Sequence, residues 1–176
     1  MSLEQKLIAS IRDIPDFPKP GILFKDITPV LSDPELSSAV SQAFFDYWKT
    51  ESIEGVVGIE SRGFIYGMSL AQHLGVPFIP VRKVGKLPYE TVNHSYDLEY
   101  GSAEIEIHID AVKPNQNILI HDDLLATGGT AAAAAELITK IGGSVAGFSF
   151  LVELSFLGGK QKVSAFGKDI QALVEF

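Results

Sequence analysis

Cysteine is missing from the chain altogether, which removes disulfides and thiolate zinc sites from consideration and fits a reducing compartment, read here as the cytoplasm. Cations are scarce as well: 14 lysines and arginines stand against 22 aspartates and glutamates, a formal net charge of -8. A chain so acidic makes a poor general ligand for nucleic acid or for an anionic membrane, whose binding rests on neutralising phosphates. No apolar run approaches the roughly 20 residues that cross a bilayer. The N-terminal MSLEQKLIASIRD has acids and no continuous apolar stretch, so it reads as an amphipathic helix and not as an export signal. Two nucleotide signatures are also lacking. There is no G-x-x-x-x-G-K-[ST], and no G-x-G-x-x-G follows a strand.

What is there suits one domain with one core: 176 residues, 46% of them hydrophobic, with no linker or internal repeat to divide them. Ser2 and Gln5 have the spacing of a capping box ahead of Leu3, Leu7, Ile8 and Ile11, and PDFPKPG stops that helix. Asp33 and Pro34 read as N-cap and first residue of a second helix with Leu36, Val40, Ala43, Phe44, Tyr47 and Trp48 on its broad apolar face. Residues 56–60, 62–75 and 76–82 form one strand-helix-strand unit. A second runs from NILIHDD through TAAAAAELITKIG to residues 144–154, and IQALVEF supplies a last short strand. Between the units, 83–93 is broken by Gly and Pro, while 95–100 and 103–110 alternate like a hairpin that reads as a flexible flap. On that alternation Glu104 and Glu106 read as outward, solvated residues. The five alanines at 131–135 fit helix propensity and close packing on the sheet. The fold class is therefore α/β, a doubly wound and mostly parallel sheet flanked by helices.

The stretch NILIHDDLLATGGT (117–130) carries the sharpest chemistry. It runs from a strand into a helix, the place where open α/β sheets bind ligands. Gly128 and Gly129 let backbone N–H groups turn inward, Thr127 and Thr130 add hydroxyls, and the helix that follows contributes the positive end of its dipole, so the loop can cradle a phosphate. Asp122 and Asp123 cannot bind phosphate, but they can accept hydrogen bonds from ribose hydroxyls or attract a divalent cation. A sugar phosphate satisfies both halves together. Taken singly, these residues would also suit an ordinary strand-to-helix turn.

ILIHDDLLATGGT resembles the phosphoribosyl-pyrophosphate motif of the type I phosphoribosyltransferases. Residues 14–34, ESRGFIYG (60–67), VRKVGKLPYET (81–91), YDLEYG (96–101) and LVELSFLGG (151–159) resemble, in the same order, segments of the adenine phosphoribosyltransferases within that family. The resemblance implies a single phosphoribosyltransferase domain over 1–176, with a hood segment at 1–33, a flap at 83–110 and the phosphoribosyl-pyrophosphate motif with its helix at 117–143. It implies that Ala126, Thr127, Gly128, Gly129 and Thr130 hold the 5-phosphate and that Asp122 and Asp123 meet the ribose hydroxyls. Ser61 and Arg62, with Arg82, Lys83 and Lys86, would take the diphosphate. Leu23, Phe24 and Lys25 would bind adenine, and Glu99 would be the general acid toward its N7. Lys25 stands where many relatives have Arg, and His121 where most have an apolar residue; a lone histidine on a sheet reads as a hydrogen-bonded packing residue, with no catalytic role.

The reaction so implied joins adenine to 5-phosphoribosyl 1-diphosphate, giving AMP and diphosphate, with Mg²⁺ carried mainly on the substrate's diphosphate and a homodimer as the working form. Three rival readings differ in class. A 6-oxopurine phosphoribosyltransferase is disfavoured by the FPKPG and YDLEYG segments. A regulatory protein that senses phosphoribosyl pyrophosphate and binds nucleic acid lacks an appended DNA-reading module and a basic surface. A purely structural sheet protein leaves two anion-type loops on consecutive units without a purpose.

Overall fold

Ser2 Oγ accepts a hydrogen bond from Gln5 N, and the Gln5 side chain accepts from Ser2 N, so the capping box forms and α1 (Leu3–Ser10) starts where its spacing demands. The computed structural model describes residues 1–97, 102–167 and 169–176. These divide into two units, Met1–Ala43 and Phe44–Phe176.

In the first unit the proline-rich stretch does more than stop a helix. β1 (Arg12–Pro15) pairs antiparallel with β2 (Leu23–Asp26). Both strands are four residues long with prolines around them, a pattern too short for an alternation signal. Two of their four cross-strand pairs are charged: Arg12 faces Asp26 at 3.6 Å, and Lys25 Nζ lies 2.6 Å from Asp13 Oδ1. Phe17 and Phe24 meet edge to face at 5.1 Å. A short helix, α2 (Thr28–Ser32), leads to α3 (Pro34–Trp48), where Asp33 Oδ1 accepts from the backbone N of Glu35 and Leu36 as its N-cap placement requires.

The second unit follows the order β3 (Gly55–Ile59), α4 (Gly63–Leu74), β4 (Phe78–Lys83), β5 (Thr91–Asp97), β6 (Ser102–His108), β7 (Asn117–Leu125), α5 (Gly129–Lys140), β8 (Ser144–Glu153), α6 (Gly159–Val163) and β9 (Asp169–Glu175). Among the described residues the sheet has seven strands in the order β5-β6-β4-β3-β7-β8-β9. β4, β3, β7, β8 and β9 run parallel, and the β5/β6 hairpin is antiparallel at the β4 edge. Crossover helices account for the parallel part, since parallel neighbours need them. Val57, Ile59, Ile118 and Ile120 join the core cluster that holds Ala131, Ala134, Ala135 and Ile138 of α5. On the other face His121 of β7 meets Phe44, and the α4 glycine at 67 lies against Phe78 and His121. Helices thus cover both faces of the sheet, as a doubly wound fold requires.

All five alanines of the 131–135 run are buried, so small size there serves packing as well as helix propensity. The hairpin begins earlier than its alternation suggests, at Thr91, with Thr91 opposite His108 and Asp97 opposite Ser102. The turn between its strands, with Glu99, lies outside the described residues. α6 is an addition that five residues of GKQKV do not announce.

Candidate active site

Strand order reverses between β3 and β7. From β3 the chain crosses through α4 to β4 on one side, whereas β7 is paired to the other side of β3 in parallel, with Gly58 opposite His121. The carboxyl ends of two such neighbours diverge into loops and leave a crevice between them. Here the two loops are Glu60–Arg62 and Ala126–Gly128. An open cleft of about 180 Å³ lies at this place, lined by Arg62 and by residues 122–131.

Arg62 joins the two sides. Its Nε donates to Oδ2 of Asp123, whose side chain is almost fully buried while the guanidinium is half-exposed. Asp122 Oδ1 accepts from the Asp123 backbone N at 2.8 Å. Burial pushes the Asp122 carboxyl well above its usual range, and the neighbouring Asp123 charge pushes the same way. Only glycine fits at 63 on the first turn of α4, because a Cβ there would lie 2.8 Å from the His121 carbonyl and 3.0 Å from Asp122 Oδ1. That close approach brings the start of α4 to the carboxylates.

The phosphate-type loop is built from two backbones in contact. Gly128 takes a left-handed φ of 77° as the N-cap of α5, and a Cβ on it would lie 2.7 Å from the carbonyl of Gly159. Gly159 in turn could carry no side chain without reaching Gly128 N at 2.9 Å. Gly129 is buried at the first turn of α5, Thr130 is half-buried, Thr127 is exposed, and the helix dipole points its positive end here.

The basic group of the flap is ordered by carboxylates. Arg82 Nε and Nη2 reach Glu60 Oε2 and Oε1 at 3.1 and 3.0 Å, and Nη1 donates to the Lys86 carbonyl at 3.1 Å. Lys83 N donates to Glu60 Oε2 at 3.2 Å. The Arg82 hydrogen bond holds the Glu60 carboxyl below its ordinary value against the opposing effect of burial. Lys83 and Lys86 are exposed. Glu106 is not outward as alternation suggested. It is buried, and its carboxylate accepts from Lys86 N, Leu87 N and the Thr91 hydroxyl at 2.9, 2.8 and 3.1 Å. Burial raises its carboxyl, but the Leu87 and Lys86 N–H groups and the Thr91 hydroxyl outweigh that and leave it below the ordinary value. The reason for the correction is register: Glu106 sits opposite both Arg82 and Asn93, in the middle of the sheet edge and next to a loop whose N–H groups need acceptors.

Of the remaining candidates, Ser61 is exposed beside Arg62. Leu23 is half-exposed and Phe24 half-buried, whereas Lys25 is buried with its ammonium on Asp13. Glu99 lies outside the described residues. His121 packs edge to face on Phe44 at 5.0 Å, and neither ring nitrogen has a hydrogen-bond partner among the described residues. The expectation of a hydrogen-bonded packing histidine is therefore half right. The imidazole lies against Phe44 and Gly67, and the hydroxyl of Ser149, its partner on β8, is turned to Gln171, which explains the difference; burial lowers the His121 pKa to about 3. Sequence reasoning missed Glu60, Glu106, Tyr96 and Gly159. Glu60 could have been found beside Arg62 in ESRGF, and Gly159 from the third pair of adjacent glycines, in LGGK.

The model of the phosphoribosyl transferase domain family matches residues 30–162. An adenine phosphoribosyltransferase of Cytophaga hutchinsonii is 51% identical over 174 residues, covering 99% of this chain and 96% of that protein. Among solved structures, the adenine phosphoribosyltransferase of Rhodothermus marinus superposes with a TM-score of 0.93 at 49% identity, covering 99% of this chain and 98% of the other. The Giardia lamblia APRTase, solved with 9-deazaadenine, gives 0.94 at 39% identity, covering 100% and 98%. A family match across most of the chain, and relatives about half identical along nearly all of it, mean that the chain belongs to the phosphoribosyltransferase family and, within it, to the adenine phosphoribosyltransferases.

Proposed function

We infer that the chain transfers the 5-phosphoribosyl group from 5-phosphoribosyl 1-diphosphate to adenine, giving AMP and diphosphate in purine salvage. The observation that carries the site assignment is the Arg62–Asp123 link, which ties an anion-type loop to a carboxylate pair across the sheet's switch point. In this reading Ala126 to Thr130 hold the 5-phosphate, Asp122 and Asp123 take the ribose hydroxyls, and Ser61, Arg62, Lys83 and Lys86 face the diphosphate. Arg82 acts on the diphosphate or through its hold on Glu60. Substrate binding then exchanges the Asp123 partner: Arg62 swings to the diphosphate and frees the carboxylate for ribose.

Displacement at the anomeric carbon passes through an oxocarbenium-like ribose. The carboxylates beneath the ring stabilise the developing positive charge, and the cations neutralise the leaving diphosphate. Glu99 holds adenine protonated at N7 and takes that proton as N9 bonds to the anomeric carbon and diphosphate departs, and the hairpin shields the ribose from water, which would otherwise compete as nucleophile. Leu23 to Lys25 recognise the base, with Phe24 stacking and main-chain groups reading the amino edge. That Lys25 is ion-paired to Asp13 favours a main-chain role at this position. A relative solved with 9-deazaadenine supports a purine in such a pocket.

Among the described residues no group of three or more His, Asp or Glu is arranged to hold a metal. The carboxylates at the cleft suit a divalent ion that arrives on substrate oxygens, with Asp122 as the side chain able to add a contact. Mg²⁺, when bound, supplies charge neutralisation on the diphosphate. The working form is a homodimer: Ile65 and Met68 on α4 are 43% and 44% exposed, apolar surface of the kind that association covers. No helix among the described residues is long and apolar enough to cross a membrane. The two units act as one phosphoribosyltransferase domain, residues 1–33 serving as hood.

The test is diphosphate release with phosphoribosyl pyrophosphate, Mg²⁺ and adenine, hypoxanthine or guanine in parallel. A site that reads the amino edge leaves two polar groups mismatched with a 6-oxopurine, so adenine should be preferred by at least about 10²-fold in kcat/KM. Comparable efficiencies would remove the adenine assignment and leave the phosphoribosyl chemistry. Glu99→Gln should lower kcat by roughly 10²-fold with folding intact; near-normal turnover would remove the proton-handling role from Glu99.

A further inference from the structure

We propose that Tyr96 is a positioning residue for the phosphate loop: its hydroxyl orients the Thr130 hydroxyl and ties the β5/β6 hairpin to the substrate's 5-phosphate. This rests on the reading of Ala126 to Thr130 as the phosphate site. Tyr96 Oη and Thr130 Oγ1 lie 3.1 Å apart, joining residues 34 positions distant in the chain. The Tyr96 ring packs against the core cluster that includes the α5 alanines, so an apolar body holds the hydroxyl in place.

A second tether fixes the direction of the strand. Lys140 Nζ, at the C-terminal end of α5, donates to the Asn93 carbonyl at 3.2 Å. As β5 advances from Asn93 to Tyr96, α5 is traversed backwards from Lys140 to Thr130, and the strand ends over the helix N-terminus. Shifting β5 by one residue would turn Tyr96 to the opposite face and break the contact. The hairpin is thereby registered against the loop by one side chain.

The chemistry follows from what each hydroxyl can do. A hydroxyl has one donor and two acceptor positions. When Thr130 donates to a phosphate oxygen, its lone pairs are free to accept the Tyr96 proton, and the chain Tyr O–H to Thr O–H to phosphate oxygen polarises along its length. Without Tyr96 the threonine rotor has no fixed direction. An anion in the loop strengthens the Tyr96–Thr130 bond, and an ordered hairpin equally strengthens anion binding, because such coupling is reciprocal. Glu99 follows Tyr96 by three residues, so filling the phosphate loop settles the strand from which the proposed acid extends.

The test uses the full chain, ribose 5-phosphate as the probe, and the variants Tyr96→Phe, Thr130→Val and the double variant. Calorimetry should show Tyr96→Phe weakening ribose 5-phosphate by about three- to tenfold, the scale of one net hydrogen bond. The double variant should be no weaker than Thr130→Val alone. In steady state the KM for phosphoribosyl pyrophosphate should rise more than kcat falls. Ribose 5-phosphate should slow hydrogen exchange of the 91–97 amides in the wild type and not in Tyr96→Phe, a readout that a merely structural hydroxyl would not give. Unchanged affinity and exchange in Tyr96→Phe, or losses that multiply in the double variant, overturn the proposal. If Thr130→Val also binds ribose 5-phosphate normally, the phosphate-loop reading itself falls, a result distinct from silence at Tyr96 alone.

Discussion

The Arg82 guanidinium closes fork to fork on the Glu60 carboxylate, Nε 3.1 Å from Oε2 and Nη2 3.0 Å from Oε1. One residue belongs to the loop after β3 and the other to the end of β4, so the pair clips the Ser61–Arg62 segment to the root of the flap. The remaining Arg82 nitrogen holds the Lys86 carbonyl. An arginine that looks like a diphosphate ligand in the sequence is thus also a frame for two others, and the planar fork makes it unsuited to replacement by lysine.

Glu60→Gln keeps the shape and removes the charge. Charge-assisted hydrogen bonds of this kind contribute about 1.5–3 kcal/mol each, and both loops lose their common anchor. The KM for phosphoribosyl pyrophosphate should rise about tenfold, with adenine KM nearly unchanged. Initial rates at varied concentrations of each substrate check this; equal effects on both would mean a general loss of structure.

Glu106 supports the same loop from the sheet side. Its folded pKa lies below the ordinary 4.5, so it contributes stability that is present above about pH 4.5 and is lost as pH falls through the folded value. Glu106→Gln should therefore unfold at lower urea at neutral pH and show a flatter acid limb than wild type. Urea melts at pH 7 and pH 4 measure it. A constant difference between the two proteins at both pH values would argue that the charge at 106 is not what the loop uses.

The parts of the site that the sequence discloses are those where composition and location coincide. Gly128 and Gly129 between a strand and a helix mark a turn with left-handed backbone and no room for a side chain at 128, and Asp122 and Asp123 precede them in the same strand. Glu106 was hidden because alternation assigns a residue to a face without saying what lies above that face, and here it is a loop of donors rather than water. The β1/β2 pair was hidden because prolines at 15, 18 and 20 read as breakers while the strands they bound are too short to show a period. Tyr96 and Thr130 meet only once the hairpin is laid along α5, a tertiary fact that no local pattern carries.

His121 offers a test of burial without function. In the folded chain its pKa is lowered to about 3, from 6.5 for an exposed imidazole. The unfolded state therefore takes up a proton that the folded state refuses, and stability declines as pH falls from about 6.5 toward 3. By pH 5 this amounts to about 2 kcal/mol. His121→Leu should match or exceed wild-type stability at pH 7.5 and gain on it by roughly that amount at pH 5, with kcat preserved. Thermal or urea melts of the two proteins across this range decide it, and a parallel pH dependence would mean that the imidazole is not the group responsible.

Asp122 and Asp123 should separate stability from activity. Asp122 is held well above its usual pKa by burial and by its neighbour's charge. A group raised in the folded state favours folding only while protonated, so its ionisation costs stability above the unfolded value near 3.8, and the loss grows until the folded value is passed. Asp122→Asn removes that cost, and in the absence of substrate it should melt higher than wild type at pH 7.5. Asp123→Asn instead leaves Arg62 without its carboxylate and should melt no higher. On the proposed ribose assignment both variants weaken charge-assisted hydrogen bonds to the substrate, so kcat/KM for phosphoribosyl pyrophosphate should fall at least about tenfold in each. Opposite signs in stability with the same sign in activity would identify a pair in which one carboxylate is kept under strain for the substrate, while the other is held ready by Arg62. Unchanged kcat/KM in both variants would remove the ribose assignment, whatever the melting temperatures.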